Sequence, residues 1–170
     1  MLQHYRMFAA YNSWANTRVY SAASSIAYED FTRDLGAFFR SIQGTLNHIL
    51  YADKVWMARF SGQNTGPAKL DTILHEDLKD LRLAREAEDR RIISFVDALT
   101  PEQLKGTFSY QRGNPPEFYT DSLEKALAHF FNHQTHHRGQ LHMMFTMMGQ
   151  PSLELDLIYF LRSESGTPFA

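Results

Sequence analysis

Apolar positions recur at helical spacing in four long stretches of the chain. From Leu2 to about Ala23, Tyr5, Phe8, Ala9, Trp14, Ala15 and Val19 do so with no Gly or Pro between them, which predicts a first helix. A polar stretch, Ser24 to Asp34, follows. Phe38 to Phe60 then carries Phe39, Ile42, Leu46, Ile49, Leu50 and Trp56 before stopping at Ser61-Gly62, which predicts a second helix. Gln63 to Lys69, with Gly66-Pro67, reads as a loop. Beyond it, Asp71 or Thr72 is the predicted cap of a third helix that runs through Ile73, Leu74, Leu78, Leu81, Ile92, Phe95 and Leu99. The alternating charges from Glu76 to Arg91 read as the solvated face of that helix.

The period changes between Thr100-Pro101 and Tyr119. Thr107-Phe108-Ser109-Tyr110 and Phe118-Tyr119 flank Gly113-Asn114-Pro115-Pro116, which predicts a short hairpin or ordered loop. Thr120 or Asp121 then opens a fourth long helix, with Glu124 placed as the third residue of a capping box, and the helix runs to Gly149. Pro151 prevents direct continuation, and Leu153 to Leu161 makes a short last helix or extended segment. Four amphipathic helices bury their apolar stripes most simply as an all-α, antiparallel four-helix bundle with at least one longer connection, here a single domain over residues 1–170.

Composition narrows the chemistry. Hydrophobic residues at 44%, charged residues at 21% and a formal net charge of -2 describe a globular chain, and the acidic balance argues against nucleic acid as the main partner. The cysteine count is 0, which excludes disulfides, thiolate metal sites, iron–sulfur clusters and cysteine nucleophiles; any thiol chemistry must use a thiol from outside. Polar residues interrupt every turn from Met1 to Arg18, so no signal peptide is expected, and no run approaches the roughly 20 apolar residues that cross a bilayer. A cytoplasmic protein with no membrane partner is the expectation.

The 8 histidines carry the candidate chemistry. His133 and His137 lie four residues apart in the fourth helix, pointing within about 40° of each other one turn apart, a spacing that lets two imidazoles chelate one metal ion. Phe130, Leu141 and Met144 on that stripe turn it inward. His48, inside the mostly apolar second helix, joins them if the two helices face each other. His129, four residues before His133, offers a competing pair, whereas His136 lies about 100° from His137. His4, His75 and His142 have no partner in view. Other templates fail: there is no HExxH, no Glu-x-x-His pair, no phosphate-binding glycine loop and no GxSxG elbow. What survives is an all-histidine, mononuclear site.

Three strings carry a resemblance to a known family: Tyr11-Asn12-Ser13-Trp14-Ala15-Asn16, Leu46-Asn47-His48-Ile49-Leu50-Tyr51-Ala52-Asp53 with Trp56 through Gly62, and His133-Gln134-Thr135-His136-His137-Arg138-Gly139-Gln140 followed by Met147-Met148-Gly149. Together they make nearly the whole chain resemble the DinB/YfiT-like superfamily. The resemblance implies a four-helix bundle, a divalent ion such as nickel, zinc or iron held by His48, His133 and His137, and a homodimer. It also implies, as one possible chemistry, transfer or isomerisation that uses a small-molecule thiol.

Three neutral imidazoles leave an ion its double charge and an open position, which suits thiol transfer and hydrolysis alike. A non-catalytic metal-binding bundle in storage, stress response or sensing, and a helical interaction protein with incidental histidines, are the competing classes. Asn47, Asp53, Gln134 and Gln140 are candidates to hold the second ring nitrogens. Arg138 reads either as an anchor for an anionic substrate or as half of a surface or interface ion pair. Phe38, Phe39, Trp56, Phe130 and Phe131 read as core residues or pocket lining, and Tyr11 and Trp14 as packing against the fourth helix. Met143, Met144, Met147 and Met148 make an apolar cluster too wide for one face, part of it available to a second subunit or to the last segment.

Overall fold

A computed structural model describes residues 1–63, 69–113 and 115–170. Its order is α1 (Leu2–Ala23), α2 (Tyr28–Thr32), α3 (Ile42–Phe60), α4 (Leu78–Ala98), α5 (Pro101–Lys105), β1 (Thr107–Arg112), β2 (Glu117–Ser122), α6 (Leu123–Met147), α7 (Leu157–Leu161) and a closing 3-10 turn, Glu164–Phe169. The protein is mostly helical, with one small antiparallel sheet in which Thr107 pairs with Ser122 and Arg112 with Glu117. Among the described residues no helix is long and apolar enough to cross a membrane.

Side-chain caps decide where the long helices begin, and they move three predicted starts. Helix α3 begins at Ile42 rather than Phe38, because Ser41 accepts the Gly44 N–H. Residues 35–41 instead form a tight turn in which Leu35 donates to the Arg40 carbonyl and Arg40, at φ 65°, donates to Ala37. That turn lies directly on α3 because position 44 is glycine: a Cβ there would come within 2.1 Å of the Phe39 carbonyl oxygen. Helix α4 is capped by Asp77, not by Asp71 or Thr72. The segment before it is a strap along α3, whose side chains meet its backbone needs: Asn47 Oδ1 accepts from Leu74 and His75, Asn47 Nδ2 donates to the His75 carbonyl, and Gln43 donates to that of Glu76. Helix α6 is capped by Ser122, while Thr120 and Asp121 belong to β2. The expected Gly66-Pro67 breakers lie outside the described residues.

Helix α1 packs on α4 and α6, and α3 packs on the same two. Among the described residues the core has three apolar clusters, two of which draw on all four long helices. Of these two, the first gathers Val19, Leu46, Leu50, Leu81, Leu141 and Phe145; the second gathers Tyr5, Met57, Ile92, Val96, Leu127 and Phe130. Helices α1 and α6 therefore run from the second cluster to the first, and α3 and α4 run back. Thus α1/α4 and α3/α6 are antiparallel neighbours, but α3/α4 and α1/α6 run parallel, which corrects the wholly antiparallel expectation. The connection before α4 makes this possible, since its described part, residues 69–77, runs back along α3 before α4 starts.

Between the clusters lies a buried polar layer with members from all four helices: Asn12 and Asn16, Asp53, Arg85 and Asp89, Gln134 and Arg138. Arg85 bridges Asp53 at 2.5 Å and Asp89 at 3.0 Å. Asp89 also accepts from Asn12 at 3.2 Å and Asn16 at 3.0 Å, while Gln134 donates to Asp53 at 2.7 Å. Arg138 donates to Asn12 and, at 3.2 Å, to Thr135, and lies over the Tyr11 ring. Burial pushes the Asp53 pKa up to about 6, against the pull of Arg85 and Gln134, so the carboxylate stays ionised at neutral pH.

The layer overturns two expectations. The charged run of α4 is not simply a solvated face, because Arg85, Glu88 and Asp89 are buried. Arg138 is neither on the surface nor available to a ligand, being held by α1. Tyr11 and Trp14 pack chiefly on Phe160 of α7, and Tyr11 bonds the Leu155 carbonyl. Of the methionines, Met144 is buried, Met148 packs against the first cluster as Leu153 and Leu155 do, and Met143 and Met147 are exposed.

Replacing Arg85 by Ala leaves two carboxylates buried without their shared cation. We expect a loss of about 3–5 kcal/mol in urea unfolding, the range for breaking one side of a buried ion pair. A loss below about 1 kcal/mol, the range of exposed pairs, would contradict a structural role for the layer.

Candidate metal centre

The polar layer sets where the histidines meet. Asp53 of α3 and Gln134 of α6 are hydrogen-bonded. His48 stands five residues before Asp53, and His133 and His137 directly precede Gln134 and Arg138. With α3 and α6 antiparallel, that register brings His48 opposite the His133/His137 pair. His48 Nε2 lies 3.3 Å from His133 Nε2, and His137 Nε2 lies 3.1 Å from it. One ligand atom from each of the three falls within 4.8 Å of the others. His48 and His137 are buried and His133 is half-buried.

The outer ring nitrogens explain the inward aim of the inner ones. His48 Nδ1 lies 2.9 Å from the Leu70 carbonyl oxygen, which only accepts, so Nδ1 carries the ring proton and Nε2 presents a lone pair. His137 Nδ1 donates to Gln140 Oε1 at 2.7 Å, with the same result. Two lone pairs therefore face His133 Nε2, which carries at most one proton. A cation answers this surplus of acceptors. At metal–nitrogen distances of about 2.0–2.1 Å, tetrahedral geometry spaces ligand nitrogens about 3.3–3.4 Å apart, close to the separations found here. The donor set fits a divalent ion, and among the described residues no carboxylate joins the trio.

Phe39 closes one side. Its ring stacks on His48 at 3.7 Å and 16°, and meets His137 edge-on at 5.5 Å. Phe39 is thus both core and wall of the site, whereas Phe38 beside it is 80% exposed.

The site keeps its imidazoles neutral. Burial, reinforced by His137 and His48, lowers His133 to about 3. Burial lowers His137 to about 4 although the Gln140 bond opposes it, and lowers His48 against the Leu70 carbonyl. Neutral imidazole is the form that binds metal, so protons compete weakly here.

Of the residues named for the outer nitrogens, Gln140 serves. Asn47 anchors the strap instead, and Asp53 and Gln134 belong to the polar layer. The Leu70 carbonyl was not foreseeable, because every residue has one and only the path of the strap selects it. His129 is exposed and stands outside the trio, its ring 5.9 Å from that of His133. His136 is exposed and touches Gln140, His142 meets Ser152, and His4 packs on Phe8.

Residues 1–168 match the family described as DinB family. Among curated proteins, the chain is 28% identical over 160 residues to Protein DinB of Bacillus subtilis (strain 168), an alignment that covers 89% of this chain and 90% of that protein.

Acid should expose the protonation balance. Unfolded imidazoles take up protons near 6.5, while folded His133 and His137 wait until about 3 and 4. Between those values the unfolded chain binds more protons, so these two groups make stability fall as pH falls. Metal-free parent should therefore lose stability relative to a His133→Asn/His137→Asn variant as pH drops from about 6.5 to about 4. Chemical denaturation across that range checks it, and a pH-independent difference would contradict the neutral cluster.

Proposed function

The chain belongs to the DinB family, and on that premise we propose that it holds one divalent ion through His48, His133 and His137 and acts as a metal-dependent enzyme on a small substrate. Thiol-dependent transfer and hydrolysis are the two reaction classes that fit. The observation that carries the reading is the convergence of the three Nε2 atoms, two of them turned inward by bonds at Nδ1. The four long helices, each packed on two others, support a four-helix bundle as the frame.

When bound, such an ion supplies a double positive charge and an open position that acidifies a coordinated thiol or water. The chain does the rest. Leu70 and Gln140 fix the ring orientation of His48 and His137. Phe39 excludes water from the His48 side, and half-buried His133 leaves the opposite side accessible. Imidazole donors suit nickel, zinc and iron, and the absence of thiolate and carboxylate donors argues against ions that prefer either.

Elemental mass spectrometry on tag-free protein purified without nickel resin tests the site. We expect about one ion per chain in the parent and none in a His48/His133/His137 triple alanine variant that remains folded, since the apolar clusters do not depend on the ion. A parent that fails to take up nickel, zinc, iron or manganese would overturn the reading. Metal uptake without turnover in a screen of small thiols and esters would favour a binding protein over an enzyme.

Gln140→Leu removes the acceptor for His137 Nδ1 and should weaken metal affinity by about 10–100-fold with little change in fold. Competition with a chromophoric chelator measures it, and unchanged affinity would remove Gln140 from the site.

A further inference from the structure

A line of ring contacts leads away from the cluster along the outer side of α3 and α6. The His133 ring lies 5.9 Å from that of His129, and His129 lies 5.2 Å from Trp56. Beyond Trp56 stands Arg59, its guanidinium carbon 4.8 Å from the Trp56 ring and 4.6 Å from the Tyr110 ring of β1. His129 is exposed, and Trp56, Arg59 and Tyr110 are half-buried, so this line lies at the surface.

Arg59 sits in the last turn of α3. Among the described residues no carboxylate pairs with it. Its Nε is buried without a hydrogen-bond partner, and the Tyr110 hydroxyl is committed to Asp121 at 2.9 Å. Burial lowers the Arg59 pKa, with Arg112 adding to the shift and Tyr110 and Tyr51 opposing it. A guanidinium clamped by two ring faces keeps its N–H edge free for a planar acceptor. Stacking alone would brace the hairpin against α3, but it leaves the guanidinium without a carboxylate partner, and a bound anion would supply one.

We propose that Arg59 anchors an anionic group of the substrate, a carboxylate or phosphate, at the far end of the line of rings that starts at the three-histidine cluster. This rests on the proposed metal site only for the reacting end; the anchor stands on its own contacts. Arg59 follows His48 by eleven residues on α3, a rise of about 16 Å, and its side chain leans back toward the helix N-terminus. The substrate is therefore elongated, with roughly 10 Å between its reacting atom and its charge.

The test uses ω-mercaptooctanoate and its neutral counterpart ω-mercaptooctanol, added to cobalt-loaded protein in a Trp14→Phe background that leaves Trp56 as the one tryptophan. Trp56 fluorescence reads the anchor, and the thiolate-to-cobalt absorption band reads the cluster. The acid should bind the parent about tenfold more tightly than the alcohol, an advantage that high salt erodes. Arg59→Met should erase the advantage without changing alcohol affinity or metal content, and Arg59→Lys should keep part of it. Equal binding of acid and alcohol by the parent, or an advantage that survives Arg59→Met, overturns the proposal. Should Arg59→Met not fold, an acid advantage in the parent that does not respond to salt overturns it. Discrimination by Trp56 without a cobalt band would refute the metal site and leave the anchor supported.

Discussion

Two guanidiniums and two carboxylates buried in the middle of this protein have to find each other across four helices. Taking an ion out of water costs several kcal/mol, and that cost is offset only when opposite charge and hydrogen bonds are in place. Arg85 meets Asp53 and Asp89, and Asn12 and Asn16 tie the layer to Arg138. The apolar clusters on either side tolerate small slides of one helix past another; the ion layer does not. A slip of α6 by one turn would separate Gln134 from Asp53 and Arg138 from α1. The layer thus acts as the register pin of the fold.

The histidine site inherits its geometry from that pin. His133 and His137 lie next to Gln134 and Arg138 on α6, and His48 lies five residues before Asp53 on α3, so fixing the ion layer fixes the distance between the facing imidazoles. The strap before α4 completes the site from outside, its own course held by Asn47 and Gln43. Structural and chemical roles alternate residue by residue here: Asn47 positions the strap whose Leu70 carbonyl orients its neighbour His48. The two centres are electrostatic opposites. One is a closed set of charges in balance; the other is a set of neutral lone pairs in search of a cation.

Much of this was legible in the amino-acid order. Helix periodicity placed the four long helices, because an amphipathic stripe is a local property. The four-residue spacing of His133 and His137 made them a candidate chelating pair for the same reason, and His48 stood out as a histidine inside an apolar helix. The first long helix was read to its ends. The starts of α3, α4 and α6 were not, because Ser41, Asp77 and Ser122 outcompeted other polar residues only once the preceding turn, strap and strand had taken Phe38, Asp71 and Thr120.

What tertiary structure alone decided was the company each polar group keeps. Arg85 and Asp89 sit in a run of charges that reads as a wet surface, and only the approach of α1 and α3 makes them interior. Arg138 gives no local sign of whether it faces solvent, a ligand or Asn12. Leu70 contributes a carbonyl common to every residue, and Arg59 is one arginine among several until the hairpin lays Tyr110 across it. Sequence by itself determined the helices and the identity of the histidines, since spacing along one helix is local. Which helices run parallel, which charges are buried and which face of the site stays open depend on contacts between residues far apart in the chain, whose energies exist only after the chain has folded.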